Sequence, residues 1–353
     1  MQNISKTVGV QVAALICAWV AAQAAQALFL PLPWLLGPLL MAMLWQSVQI
    51  QQGYLVQWRQ GGQWLIGTAL GTYFSPQMLM ILYDYAPLLL LGIVWALFLG
   101  LLLAILQYRL VGLDWATAWF ASSMGGASEM VSLAERLNAR SDQVAAAHSL
   151  RLVLLVFCVP LILQYLYQID LQRITPPLPF STQPVDLLML LSLSLLGAYL
   201  AQRMQLLNAW VLGPLIMVAG LTLLQLPIAN LPPWLSHLGQ LLIGWSLGRK
   251  FPFTLFKAER PFFVFTLLLN LLGLGLSLLL AMLVAGLFGL DSKTLMLGFS
   301  PGGIAEMSLT AKALQLVVPV VIAFQLTRLI GVLLTSLYFY RLTERYFRTR
   351  KSH

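Results

Sequence analysis

Charge is scarce in this sequence. Of its 353 residues only 9% are Asp, Glu, Lys or Arg, whereas 60% are hydrophobic and the mean hydropathy is +0.85. A soluble domain carries about 25% charge. Twenty basic and eleven acidic side chains cannot solvate a globular surface of this size, and so apolar a chain is not disordered. Cysteine is nearly missing as well. Cys17 and Cys158 both lie in apolar stretches, which argues against a disulfide framework. There is no glycine-rich GK[ST] loop, no Cys-x-x-Cys and no His-Glu-x-x-His. His148, His237 and His353 are too scattered to build a metal site. These absences speak against a soluble enzyme, against ATP-driven transport by this chain alone, and against metal or organic cofactors.

Long apolar runs are what the chain has in abundance. Residues 86–106 hold no charge, and 261–290 are uncharged for thirty residues. A bilayer core about 30 Å thick needs about 20 apolar residues per helix. Full spans are expected near 8–30, 33–50, 60–82, 87–108 and 143–168, then near 185–202, 209–226, 236–257, 261–289 and 316–340. The first run ends in Ala-Gln-Ala steps that resemble a signal-peptide cleavage site. A related helix recurs later in the chain, so the run is read as a span. The expected fold is an all-α polytopic membrane protein, because a backbone in lipid must pair its own polar groups.

The two sets of spans look like copies. Gly62-Gln63-x-Leu65-Ile66-Gly67-x-x-Leu70-Gly71-x-x-Phe74 recurs as Gly239-Gln240-x-Leu242-Ile243-Gly244-x-x-Leu247-Gly248-x-x-Phe251. Trp34-x-x-Gly37-Pro38 recurs as Trp210-x-x-Gly213-Pro214. Ser123-x-Gly125-Gly126-x-x-Glu129-Met130 recurs as Ser300-x-Gly302-Gly303-x-x-Glu306-Met307. In the same register Arg151 matches Arg328 and His148 matches Gln325. Leucine runs align by chance, but glycines, prolines and charges in one register do not. The expected organisation is a first repeat over 1–168, a proline-rich connector over 169–184, a second repeat over 185–340 and a basic tail over 341–353.

Charge then orients the copies. Arg249, Lys250, Lys257 and Arg260 follow the third span of the second repeat, whereas the matching loop at 75–86 has no Lys or Arg. Arg59 and Arg109 lie in first-repeat loops whose counterparts lack basic residues. Equivalent loops of opposite bias imply inverted repeats of five spans each. With both termini cytoplasmic, fifteen of the twenty basic residues fall on one side, which accounts for the net +9 without any nucleic-acid partner. The segments 114–137 and 293–313 are then re-entrant. A broken helix that crosses, with a different span count elsewhere, is the alternative. The basic tail suits anionic cytoplasmic headgroups.

Chemistry is expected at the Gly-Gly segments. Paired glycines permit an unwound backbone, tolerated at membrane depth only where protein or a polar cavity satisfies it. Freed carbonyls around Gly125, Gly126, Gly302 and Gly303, with the hydroxyls of Ser122, Ser123, Ser128 and Ser300, are able to hold a solute or ion. Glycine used only for helix packing is the other reading. Glu129 and Glu306 need a partner, a proton or a coupling ion such as Na⁺. Arg151 and Arg328 are the natural partners for them. An Arg–Glu pair that only fixes the tip is the structural alternative. His148 lies three residues before Arg151, on the same helix face, and is either a proton shuttle or a hydrogen-bonding group like Gln325. Asn270, alone in a charge-free span, reads as interhelical glue.

These duplicated Leu-Gly-Pro and Ser-x-Gly-Gly motifs, with His or Gln three residues before an arginine in the last helix, resemble the AbrB-type duplicated membrane proteins of bacteria. The resemblance covers about residues 10–340. It implies a place in a broad superfamily that includes bile-acid/sodium symporters and sodium–proton antiporters, built from inverted five-helix repeats with broken or re-entrant segments. The leading functional expectation is an inner-membrane secondary transporter of a small organic anion or amino-acid-like solute, coupled to H⁺ or Na⁺. Inverted repeats would rock or slide around a midplane site. The alternative is a membrane-embedded ligand-binding regulator that moves nothing, although the chain offers no sizeable cytoplasmic domain to report a signal. A homodimer fits the architecture.

Overall fold

The computed structural model describes residues 2–47, 56–166, 183–226, 229 and 231–348. The first half contains α1 (Gln2–Ala27), α2 (Pro33–Ser47), α3 (Val56–Gly71), α4 (Pro76–Asp84), α5 (Ala86–Leu106), α6 (Trp115–Ser122), α7 (Ala127–Arg136) and α8 (Ser141–Leu166). The second half contains α9 (Pro184–Arg203), α10 (Ala209–Leu223), α11 (Pro233–Gly248), α12 (Phe253–Ala258), α13 (Arg260–Phe288), α14 (Ser292–Phe299), α15 (Ile304–Ala313) and α16 (Val318–Arg348). A π-helical turn, Gln107–Val111, extends α5. Among the described residues there is no strand. The halves also match in measure: α2 and α10 each have 15 residues, α3 and α11 each 16.

Six described helices are long and apolar enough to cross a membrane: α1, α5, α8, α9, α13 and α16. Taken together, α3 and α4 give a seventh, bent by 86°. The chain is a multi-pass helical membrane protein. Four of the ten spans read from the sequence rest on shorter helices. The segments near 33–50, 60–82, 209–226 and 236–257 are built on helices of 15 or 16 residues. At about 1.5 Å per residue these reach about 22–24 Å, short of the hydrocarbon thickness. Proline and glycine set their limits. Pro76 follows the end of α3, Pro252 follows α11, and α2 and α10 carry Pro38 and Pro214 inside. The connector residues 169–182 and the last residues of the basic tail, 349–353, lie outside the described residues.

The chain divides into two compact units, each drawing on both halves. The first comprises Met1–Ile81, Pro160–Phe251 and Ser308–Pro319; the second comprises Leu82–Val159, Pro252–Met307 and Val320–His353. In the first unit α2 packs on α11, and α3 packs on α10. Gly67 of α3 faces the Val211 carbonyl of α10, and Gly244 of α11 faces the Leu35 carbonyl of α2; a Cβ at either glycine would collide with that oxygen. Gly67 and Gly244 are matched positions, as are Val211 and Leu35. Each half thus contacts the other through matched positions. The second unit holds both Gly-Gly segments up to Met307, with α5 packed on α6 and α13 on α14.

Candidate functional site

Each Gly-Gly segment is prepared by the turn before it. Gly112 and Gly289 take left-handed φ values of 76° and 67°, ending α5 with its π turn and α13 where an L side chain would be strained. Two residues later an aspartate starts the next helix. Asp114 accepts from the Thr117 amide at 2.9 Å, and Asp291 accepts from the Thr294 amide at 3.0 Å. Gly-Leu-Asp-x-x-Thr is therefore a further repeat, at 112–117 and 289–294. It was readable in the same register as the Gly-Gly motif and the sequence reading passed over it.

The helices so started are short. Both α6 and α14 have eight residues and stop at the serine of the motif. The Ser123 hydroxyl donates back to the Trp119 carbonyl at 2.9 Å, and Ser300 to Met296 at 2.6 Å. These hydroxyls cap their own helix ends, a role the sequence reading did not give them. Ser122 Oγ is buried without a hydrogen-bond partner among the described residues, and Ser128 is exposed on α7. Each motif then turns into the start of α7 or α15, so both segments are broken helices.

The glycines serve side chains of their own motif. A Cβ on Gly125 would run into Met130, and one on Gly302 into Met307. A Cβ on Gly126 would occupy the place of the Glu129 carboxylate, and one on Gly303 that of Glu306. Both glutamates stand third in their helices and fold back over the glycine that precedes the helix. Their negative charge lies at the positive end of the helix dipole. Both are half-buried. The spacing G-G-x-x-E-M thus has a local steric reason.

The arginines do something other than pair with these glutamates. Arg151 donates from Nη1 to the Ser123 carbonyl at 2.8 Å, from Nη2 to Ala121 at 2.6 Å, and from Nε to Asn270 Oδ1 at 3.1 Å. Arg328 donates from Nη1 to the Ser300 carbonyl at 2.6 Å and from Nη2 to Gly302. Each guanidinium grips the carbonyl end of the helix that stops at the motif, where the dipole favours a cation. Asn270 is thereby glue of a defined kind. Both arginines are buried.

His148 and Gln325 share one role. His148 Nε2 lies 3.0 Å from the Phe120 carbonyl, and Gln325 Nε2 donates to the Leu297 carbonyl at 2.7 Å. Phe120 and Leu297 are matched positions. A carbonyl can only accept, so the imidazole carries its proton on Nε2. The second broken segment brings in a residue the sequence reading did not single out. In the first unit, Lys312 of α15 donates to Ser236 Oγ at 3.4 Å and stands over the Tyr73 ring at 5.9 Å. A lysine two turns beyond Glu306 in an apolar stretch was the available signal. Among the described residues no group of three or more His, Cys, Asp or Glu could hold a metal ion.

Comparison with known proteins places this geometry. The profile of the family described as "Transition state regulatory protein AbrB" matches residues 34–344, a stretch that takes in both Gly-Gly segments. "Uncharacterized protein YhjN" of Bacillus subtilis (strain 168) is 27% identical over 311 residues, covering 83% of this chain and 80% of that protein. "Putative regulator AbrB" of Escherichia coli (strain K12) is 24% identical over 322 residues, covering 88% of this chain and 89% of that protein. No solved structure gives a significant match. With most of its length inside the matched profile, and helices fit to cross a bilayer, the chain belongs to the AbrB family, as a membrane protein.

Proposed function

We propose that the protein is a secondary active transporter of the inner membrane, moving a small organic anion or amino-acid-like solute by alternating access with H⁺ or Na⁺ as the coupling ion. One observation carries this reading: two buried arginines, set on the ends of broken helices, are held by carbonyls rather than by carboxylates. Ionisable groups at membrane depth are costly and cluster on solute and ion pathways. Partial charges satisfy the guanidinium hydrogen bonds but leave two full positive charges, which a small anion complements. The reciprocal packing of matched glycines supports two five-helix repeats related by a two-fold axis, lying in the membrane plane if the loop charges orient the chain. In that arrangement both termini are cytoplasmic.

Glu129 and Glu306, half-buried at the opposite helix ends, are the groups suited to carry the coupling proton or Na⁺. Uptake into proteoliposomes under an imposed proton or sodium gradient tests the assignment. Glu129→Gln and Glu306→Gln are expected to lower gradient-driven uptake at least about tenfold, as removal of a charged partner does. Undiminished coupling in both variants would remove the glutamates from the mechanism. The name of the Escherichia coli relative favours a second reading, a membrane-embedded regulator that binds a ligand without moving it. Tight metabolite binding with no translocation under any gradient would establish that reading instead.

A further inference from the structure

The two arginines are matched in sequence but differ in chemistry. All three kinds of guanidinium nitrogen of Arg151 have acceptors, the last being Asn270 Oδ1 against Nε. Arg328 satisfies Nη1 and Nη2 in the same way, yet its Nε–H has no acceptor among the described residues, although the residue is only 5% exposed. The sequence explains the difference. In the register that pairs Arg151 with Arg328, the position matching Asn270 of α13 is Ile93 of α5. Ile93 lies against Gly331 of α16, one helical turn beyond Arg328. The position that gives the first arginine its amide carries a hydrocarbon side chain in the other half.

A second group nearby is in the same condition. Gln325 is fully buried, and its Oε1 has no donor among the described residues. Gln325 Nε2 lies 3.2 Å from the Ser300 carbonyl, which also accepts from Arg328 Nη1. The idle acceptor and the idle donor therefore belong to side chains that converge on one oxygen. Buried polar atoms left without partners are costly and rare. An unpaired donor and an unpaired acceptor on two side chains that share the Ser300 carbonyl are what a bound molecule with the complementary pair would satisfy.

We propose that Arg328 and Gln325 are the ligand-contacting pair of this site, that Arg151 and Asn270 are structural, and that the ligand is a small carboxylate bearing a neighbouring hydroxyl or amino group. The carboxylate accepts from Arg328 Nε, and the hydroxyl or amino group donates to Gln325 Oε1. Ile93 keeps the arginine available by supplying no acceptor of its own. This assignment rests on the broken segments being a solute site and does not require that the solute be transported.

Thermal unfolding of the purified full-length protein, titrated with lactate, alanine and propionate, tests it. Lactate or alanine raises the melting temperature in a concentration-dependent way, and propionate, which lacks the second group, needs at least about tenfold more for the same shift. Ile93→Asn hands Arg328 the acceptor that Arg151 already has, and weakens the lactate or alanine response about tenfold or more. Ile93→Leu changes shape without adding an acceptor and keeps the response. Gln325→His copies the first half and brings lactate and alanine level with propionate, which decides the matter if the asparagine variant does not fold. Lactate and alanine no better than propionate, or an unaltered response in a folded Ile93→Asn protein, would overturn the proposal. So would a high-resolution map with only water at Arg328 Nε under saturating lactate. Specific binding without gradient-driven uptake would count against transport and leave this assignment standing.

Discussion

A guanidinium held by carbonyls is in a different energetic position from one held by a carboxylate. Its charge is met by fractions of charge at a helix end, so it stays cationic and still attracts an anion. The sequence invited an Arg–Glu pairing because carboxylates have a letter and main-chain carbonyls have none. Arg151 and Arg328 could be located from sequence, but the oxygens of Ala121, Ser123, Ser300 and Gly302 could not be named as their partners. The match of His148 with Gln325 was more informative, since it pointed to a hydrogen bond both side chains can make. That bond has a measurable consequence. His148→Gln should leave the thermal stability of the protein within a degree or two of wild type, about the cost of a conserved bond. His148→Leu strands the Phe120 carbonyl and should cost about 1–3 kcal/mol in the same unfolding measurement.

The helices themselves were partly legible. Charge-free runs long enough to cross a bilayer marked α5 and α13, and the Gly-Gly motifs marked where a helix would break. At α3 and α11 hydropathy runs on past the glycine ends, through Pro76 and Pro252, while the helix does not. The third-helix glycine motif is legible as a repeat, but only the fold names what it packs against. Gly67 and Gly244 each meet a carbonyl of the other half, which gives an experiment with an internal control. Gly67→Ala and Gly244→Ala should each lower stability by about 1–3 kcal/mol through overpacking. Gly220, in α10 with nothing within 4 Å of a built Cβ, should accept alanine with a gain of up to about 1 kcal/mol. Denaturation of the three variants side by side would check this, and equal effects would mean that the close approach does not govern stability.

At the scale of the whole molecule, neither compact unit is made from one half of the sequence. Duplication could be read along the chain, but a division that cuts across the copies could not, because it depends on which faces meet. The division predicts how the protein behaves when cut. Expressed as two chains separated within 169–182, the halves should co-purify in equal amounts, and neither should be stable alone, because α2 needs α11 and α3 needs α10. A half that purified folded by itself would show each copy to be self-sufficient. The glycine-to-carbonyl seams also bear on movement. Backbones in direct contact have no clearance to slide, so α2 with α11, and α3 with α10, can travel only as a block. Bending has an easier place inside α8, where Pro160 leaves one helical hydrogen bond unmade.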